Sequence, residues 1–314
     1  MKKYLPIFVS LLVLMIVGTV VVSKKKEQLS TVKIQKTSDT MGIFGETKSC
    51  VRLPIFLKKL HISQPVMIDL SQKRFKGIAL LYGKQMQKVL HPKIWEQYEH
   101  FSTYALDREG NIFLAPMPYI SIHPTTFNLQ KNIYKLDTHT GKIEIFMHLD
   151  DVHPSARNPY GVNAIAYDCD DNTLWVATID ETDYKRERGV IYHIDIRTKE
   201  ILSRIEGKDA LTLTLLKTQK SKYLLVGGAR ESVLYAYDLK QYKKEQNPIN
   251  FKPQILFSLP NTNEYIRKIK IKGLNHLEIQ TIPFSYTLIS QSAKKDRNNY
   301  QLFWDVQTSK WILK

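Results

Sequence analysis

One unit recurs five times in this chain: an apolar strand ending in aspartate, a polar turn, and a second apolar strand. It reads VIYHIDIRTKEIL around Asp195, NIYKLDTHTGKIEIF around Asp137 and VLYAYDLKQYKK around Asp238. It returns as QLFWDVQTSKWIL around Asp305 and PVMIDLSQKRFKGI around Asp69. The aspartate at the end of the first strand is placed to accept hydrogen bonds from the backbone amides of the turn, which suits a hairpin tip. Residues 158–206 show the unit in its setting. Residues 162–167, 173–178, 190–194 and 201–205 are short runs rich in β-branched and aromatic side chains, and DCDDN at 168–172 is turn chemistry. Four antiparallel strands in one such stretch make a propeller blade, whose two faces must be buried by neighbouring blades. The spacing predicts an all-β propeller of five or six four-stranded blades. Residues 50–60, apolar with basic interruptions, are expected as the first strand of the body and a candidate closing strand. The aspartates are unevenly spaced, so insertions sit between strands. A β-sandwich also has short strands at such intervals and is the competing architecture.

The chain divides into three parts. Residues 5–22 carry no charge, with Lys2 and Lys3 before them and Lys24, Lys25 and Lys26 after. A run of that length reads as a membrane anchor rather than a cleaved signal, whose apolar region is shorter. Val21 and Ser23 would still permit cleavage after Ser23, giving a secreted protein. Residues 1–26 are therefore expected as a signal anchor. The polar, Lys/Ser/Thr-rich residues 27–49 form a tether, and residues 50–314 form the propeller, held outside the cytoplasm in the periplasm or at the cell surface.

With 314 residues, 43% of them hydrophobic, the chain can bury one large core. Forty-six basic residues against 30 acidic give a net charge of +16. That excess points to an anionic neighbour such as a membrane surface or a polyanionic glycan. No helix-turn-helix, ribonucleoprotein or zinc-knuckle pattern is present, so specific nucleic-acid binding is not expected. The two cysteines, Cys50 and Cys169, match no metal spacing; a disulfide and two free thiols both remain open.

GVNAIAYDCDDNTLWVAT followed by VIYHIDIRTKEI resembles the senescence-marker-protein-30/gluconolactonase family of six-bladed propellers. It resembles strictosidine-synthase-like and NHL-repeat propellers more loosely. The resemblance extends weakly over residues 101–239. It implies a divalent metal, Ca²⁺ or Zn²⁺, held in the central channel by polar residues that open the innermost strands. There the ion would act as a Lewis acid in lactone hydrolysis. Asn163 matches the asparagine of the family's Pro-Asn-Gly, and Asp209 in GKDALTLTLL matches the aspartate of its Pro-Asp-Gly. Ser102 stands where the family often has another asparagine. Glu99 or Glu46 would have to supply the family's N-terminal glutamate. The flanking residues differ, with VNA for PNG and KDA for PDG, so the ligand set is incomplete.

Other constellations are weaker. Asp168, Asp170, Asp171 and Asn172 resemble a Ca²⁺ loop but lack its glycine and distal glutamate, and read as a strand-to-strand turn. His148 and His153 have no third ligand, and Ser155 lacks a nucleophile-elbow context. Trp304-Asp305 has no Gly-His partner, Gly227-Gly228 opens no helix, and Arg230-Glu231 reads as a surface pair at a blade rim. The sequence thus favours a membrane-anchored propeller that binds a small molecule or protein in its channel, or scaffolds a partner, without catalysis. A metal-dependent hydrolase of lactones or related esters is the alternative. One expectation concerns residues 5–22. Leu12→Lys combined with Val17→Lys should release the protein from the membrane fraction, since each central charge costs about 2.5–3.5 kcal/mol of insertion. Unchanged fractionation would assign membrane retention to the basic surface instead.

Overall fold

The computed structural model describes residues 50–70, 76–118, 124–180, 182, 186–218, 221–244, 252–287 and 297–314. The apolar run, the tether and Glu46 lie outside them.

The described residues form five antiparallel sheets, each built from consecutive strands. The first blade has three strands, β1 (Val66–Asp69), β2 (Ala79–Tyr82) and β3 (Lys88–Leu90). The second runs β4 (Phe101–Leu106), β5 (Ile112–Pro116), β6 (Asn132–Leu136) and β7 (Ile143–His148). The third is β8 (Val162–Asp168), β9 (Thr173–Thr178), β10 (Val190–Asp195) and β11 (Ile201–Glu206). The fourth is β12 (Ala210–Lys217), β13 (Lys222–Gly228), β14 (Val233–Asp238) and β15 (Gln254–Ser258). The fifth is β16 (Tyr265–Gly273), β17 (His276–Ile282), β18 (Asn299–Asp305) and β19 (Lys310–Leu313). The innermost strands β4, β8, β12 and β16 lie side by side in that order. This is a β-propeller of five blades, not the six of the resembled family. The reason is local. Residues 50–60 supply no closing strand but a helical turn, Phe56–Lys59, whose Phe56 and Leu57 are buried. The fifth blade draws all four of its strands from residues 265–313.

The core lies between blades. On the third blade Ile165, Leu174, Val176 and Tyr192 pack toward the second blade's Phe113, Ile133 and Phe146. The alternate residues Ala164, Ala166, Trp175 and Ala177 pack toward the fourth blade's Leu213, Leu224 and Val226. Strand alternation thus sends apolar side chains to both faces, and each sheet depends on its neighbours to bury them. The fifth blade differs. Ile269, Leu277, Ile279 and Leu302 are buried, whereas Lys268, Lys270 and Lys272 on the other parity of β16 are exposed. The apolar/basic alternation of IRKIKIK at 266–272 accounts for this wet face.

The hairpin tips follow the aspartates. Asp137 Oδ1 accepts from the amides of His139 and Thr140, and Asp195 Oδ1 from those of Arg197 and Thr198. Asp305 Oδ1 accepts from the Gln307 amide and Oδ2 from the Thr308 hydroxyl. The fourth residue after each of these aspartates, Gly141, Lys199 and Ser309, has a left-handed backbone with φ of 67°, 60° and 52°. In the first two turns its amide bonds back to the aspartate carbonyl at 2.9 Å. In the fourth blade Asp238 accepts from the amides of Lys240 and Gln241 and opens a short helix, Leu239–Lys244, in place of the tight turn. Asp69 departs from the pattern, because it ends the first described strand of its sheet rather than the third.

Long-range ties meet at the turn between β8 and β9. Cys50 and Cys169 form a disulfide that links the start of the body to the β8–β9 turn, across a sequence separation of 119. In the chain-entropy account, closing a loop of this length stabilises the fold by about 5 kcal/mol. The acidic residues of that same turn hold lysines. Lys222 of the fourth blade donates to both oxygens of the buried Asp168, at 2.8 and 2.6 Å, and to Asp171 at 3.2 Å. Lys217 reaches Asp170 at 3.2 Å.

The turn amides of Thr198 and Arg197 hold the Asp195 carboxyl below its ordinary pKa. A depressed carboxylate pKa contributes stability that is full above the unfolded value, near 3.9, and is lost as pH falls through the folded value. Asp195→Ala should therefore lower Tm by a few degrees at pH 7 and by clearly less at pH 2.5. Thermal melts of both proteins at the two pH values check this, and an equal loss at both would refute the carboxylate's role.

Candidate functional site

The inner strands share one irregularity. In β4 the pairing with β5 steps from Phe101 to Thr103, leaving Ser102 unpaired. In β8 it steps over Asn163, in β12 over Leu211 and in β16 over Arg267. Each is a β-bulge, which frees one backbone unit from the ladder and re-aims its side chain. Equivalent positions of four successive blades therefore carry a hydroxyl, an amide, an aliphatic chain and a guanidinium.

These groups meet. Arg267 Nη1 donates to the carbonyl of Leu211 at 3.1 Å, and Nη2 donates to the carbonyl of Ser102 at 3.1 Å. Asn163 Nδ2 donates to the carbonyl of Ala210 at 2.8 Å. One guanidinium thus spans the axis from the fifth blade to the fourth and second, satisfying carbonyls that the bulges took out of the ladder. Burial pulls the Arg267 pKa below its ordinary value; the Tyr160 phenol acts against this and Arg297 adds to it. Ser102 Oγ is buried without a hydrogen-bond partner.

This register separates the two residues that the sequence had treated as equivalent. Leu211, not Asp209, is the counterpart of Asn163; Asp209 immediately precedes β12. The inner strand β12 runs from Ala210 to Lys217. Asp209 is fully buried and committed within the protein. Its Oδ1 accepts from the Thr182 hydroxyl and the Gly189 amide, and its Oδ2 from the Tyr286 hydroxyl, all at 2.8 Å. Gly189 allows this approach, since a Cβ there would stand 2.5 Å from Asp209 Oδ1. Burial raises the Asp209 pKa, against the pull of its hydrogen bonds from Tyr286, Thr182 and Gly189. Burial and then the Asp209 charge raise that of Tyr286.

The remaining candidates are scattered. Glu99 pairs with Lys76 at 2.8 Å in an exposed setting. His148 bonds Asn132 at 2.7 Å, and the His153 amide donates to Asp180 at 2.6 Å, so the two histidines serve different neighbours. Trp304 packs edge-on against Trp311 in the fifth blade. Arg230 and Glu231 line an open charged cleft of about 870 Å³, shared with Asp180, Glu187, Arg188 and Glu206. Burial raises the Glu187 pKa there, against Lys208 at 3.1 Å. Among the described residues no group of three or more His, Cys, Asp or Glu side chains is placed to hold a metal ion. With Asp209 engaged and a guanidinium on the bulge ring, the residues fit a divalent cation poorly.

Arg267 was missed as a site residue, although a signal was present. In Ile266-Arg267-Lys268-Ile269 two successive basic residues break the apolar/basic alternation, and the break is where the bulge falls.

No family model matches this sequence, and no curated protein matches it. Solved structures do. Hydrazine synthase of Kuenenia stuttgartiensis aligns with a TM-score of 0.43 at 9% identity, over 75% of this chain and 59% of that one. A glucose dehydrogenase aligns with a TM-score of 0.42 at 14% identity, over 74% and 76% of the two chains. The dihydro-heme d1 dehydrogenase NirN aligns at 0.33 and 9% identity, over 80% and 65%. This chain thus spans less than two thirds of the hydrazine synthase and NirN chains. The class its own sheets define is a five-bladed β-propeller.

Asp209→Ala should destabilise the protein by about 2–4 kcal/mol, because it leaves the Gly189 amide and two hydroxyls without their acceptor. Denaturant unfolding measures the loss; a change below about 0.5 kcal/mol would mean that the network is dispensable.

Proposed function

We propose that this chain is a membrane-anchored, extracytoplasmic β-propeller that acts as a ligand-binding or scaffold module without catalysing a reaction. The observation that carries this reading is the state of the inner-strand polar groups. Asp209, the carboxylate best matched to a hydrolase metal site, spends both oxygens on protein donors. Arg267 puts positive charge on the ring where a divalent ion would have to sit. A Lewis-acid site needs oxygen ligands that converge and remain free, and a neighbouring guanidinium repels the ion they would hold.

The Cys50–Cys169 disulfide supports a location outside the cytoplasm, since structural disulfides persist in oxidising compartments. The apolar residues 5–22 support the anchor, and the net charge of +16 supports an anionic surface nearby. Lactone hydrolysis is the competing reading, favoured by Ser102 and Asn163 lying on one ring of bulges.

Melting with and without metal separates the two. The binding reading expects Ca²⁺ and Zn²⁺ each to leave Tm within about 1 °C of the metal-free value, because a site engaged at a hundred times its Kd would stabilise by about 2.7 kcal/mol. It also expects no hydrolysis of a γ- or δ-lactone panel. A metal-dependent rise in Tm that disappears in Asp209→Asn, together with lactone turnover, would establish the hydrolase.

A further inference from the structure

We propose that Arg267 and Ser102 form an anion-binding subsite in the central channel, which takes a carboxylate or phosphate group of a small ligand. This rests on the reading that the propeller binds a ligand, and it names that ligand's chemistry. The case begins with charge. Arg267 is partly buried, and its described hydrogen bonds go to two neutral carbonyls, those of Leu211 and Ser102. No described carboxylate contributes to its electrostatic surroundings. The groups that do are the neutral Tyr160 phenol and the cationic Arg297, and Lys268 feels Arg267 in turn. A desolvated cation without a counter-charge is costly, and an anion placed against it recovers that cost.

The geometry supplies the donors. A guanidinium carries five N–H groups, and the carbonyls of Leu211 and Ser102 occupy two of them. The N–H groups left over suffice for forked recognition of a carboxylate or phosphate. Ser102 Oγ belongs to the residue whose carbonyl already receives Arg267, and it is buried without a partner. Ser102 thus offers an unsatisfied buried hydroxyl on the residue whose carbonyl receives Arg267, and no described carboxylate answers the guanidinium, so donors there lack an acceptor. The bulges at Ser102 and Arg267 bring the two residues together from the second and fifth blades. The same arrangement that fits a metal cation poorly fits an anion well.

The full-length protein is melted and titrated calorimetrically with inorganic phosphate and with succinate, against chloride at equal ionic strength. A saturable rise in Tm with one of the two anions is expected, and the effective one identifies the ligand group. Arg267→Met should abolish binding, and Arg267→Lys should weaken it about tenfold by removing the fork. Should Arg267→Met not fold, the Lys variant and Ser102→Ala carry the test, and unchanged affinity in both would overturn the subsite. It is also overturned if neither anion exceeds chloride in the wild-type protein. A rise that persists in the folded Arg267 variants places the ligand elsewhere, which refutes this subsite but leaves the binding function standing. Metal-dependent lactone hydrolysis would refute the binding function whatever the anions do.

Discussion

The Arg267 guanidinium is the tie on which the centre of this propeller depends. Four inner strands each carry a bulge at the same level, and every bulge takes a backbone unit out of its ladder. Near the axis such carbonyls need donors, since a buried polar group without a partner is costly. Arg267 provides two hydrogen bonds in one plane and joins the fifth blade to the fourth and the second. Asn163 provides a third to the carbonyl of Ala210. A lysine could not do this equally well, because a single ammonium lacks the rigid fork.

Farther from the axis, the blades hold one another by apolar packing and by a few charged ties between turns. The second, third and fourth blades bury both faces, so each interface stabilises two sheets. The β8–β9 turn concentrates the polar ties: the disulfide to Cys50 and the Lys222–Asp168 pair to the fourth blade both end there. Arg108 from the second blade joins them, donating to the Cys169 carbonyl and the Tyr167 hydroxyl. One loop therefore ties the second and fourth blades and the start of the body to the third. The fifth blade keeps one face charged, with Lys270 and Lys272 flanking Glu278 at 2.5 and 3.5 Å.

The sequence by itself determined the hairpins around Asp137, Asp195 and Asp305 and the four strands of the third blade. The expected runs at 162–167, 173–178, 190–194 and 201–205 correspond to Val162–Asp168, Thr173–Thr178, Val190–Asp195 and Ile201–Glu206. This was legible because an aspartate that accepts its own turn amides, and side chains that alternate along a strand, are local properties. Local chemistry also showed that the acidic residues 168–172 form a turn. It did not show that residues 50–60 are helical in part, because Phe56 and Leu57 are buried only once the first two blades come together.

Only the tertiary structure decided the register of the inner strands, and with it the site. Whether Asp209 or Leu211 stands opposite Asn163 depends on where β12 pairs with β13, and a displacement of two residues exchanges a carboxylate for an aliphatic chain. The partners of Asp209 come from Thr182, Gly189 and Tyr286, the last of them from beyond the fifth blade's second strand. Arg267 bonds residues 56 and 165 positions away in sequence. The disulfide likewise joins cysteines separated by 119 residues. Contacts at such separations arise from how the blades are arranged about the axis, and no local pattern of residues encodes them.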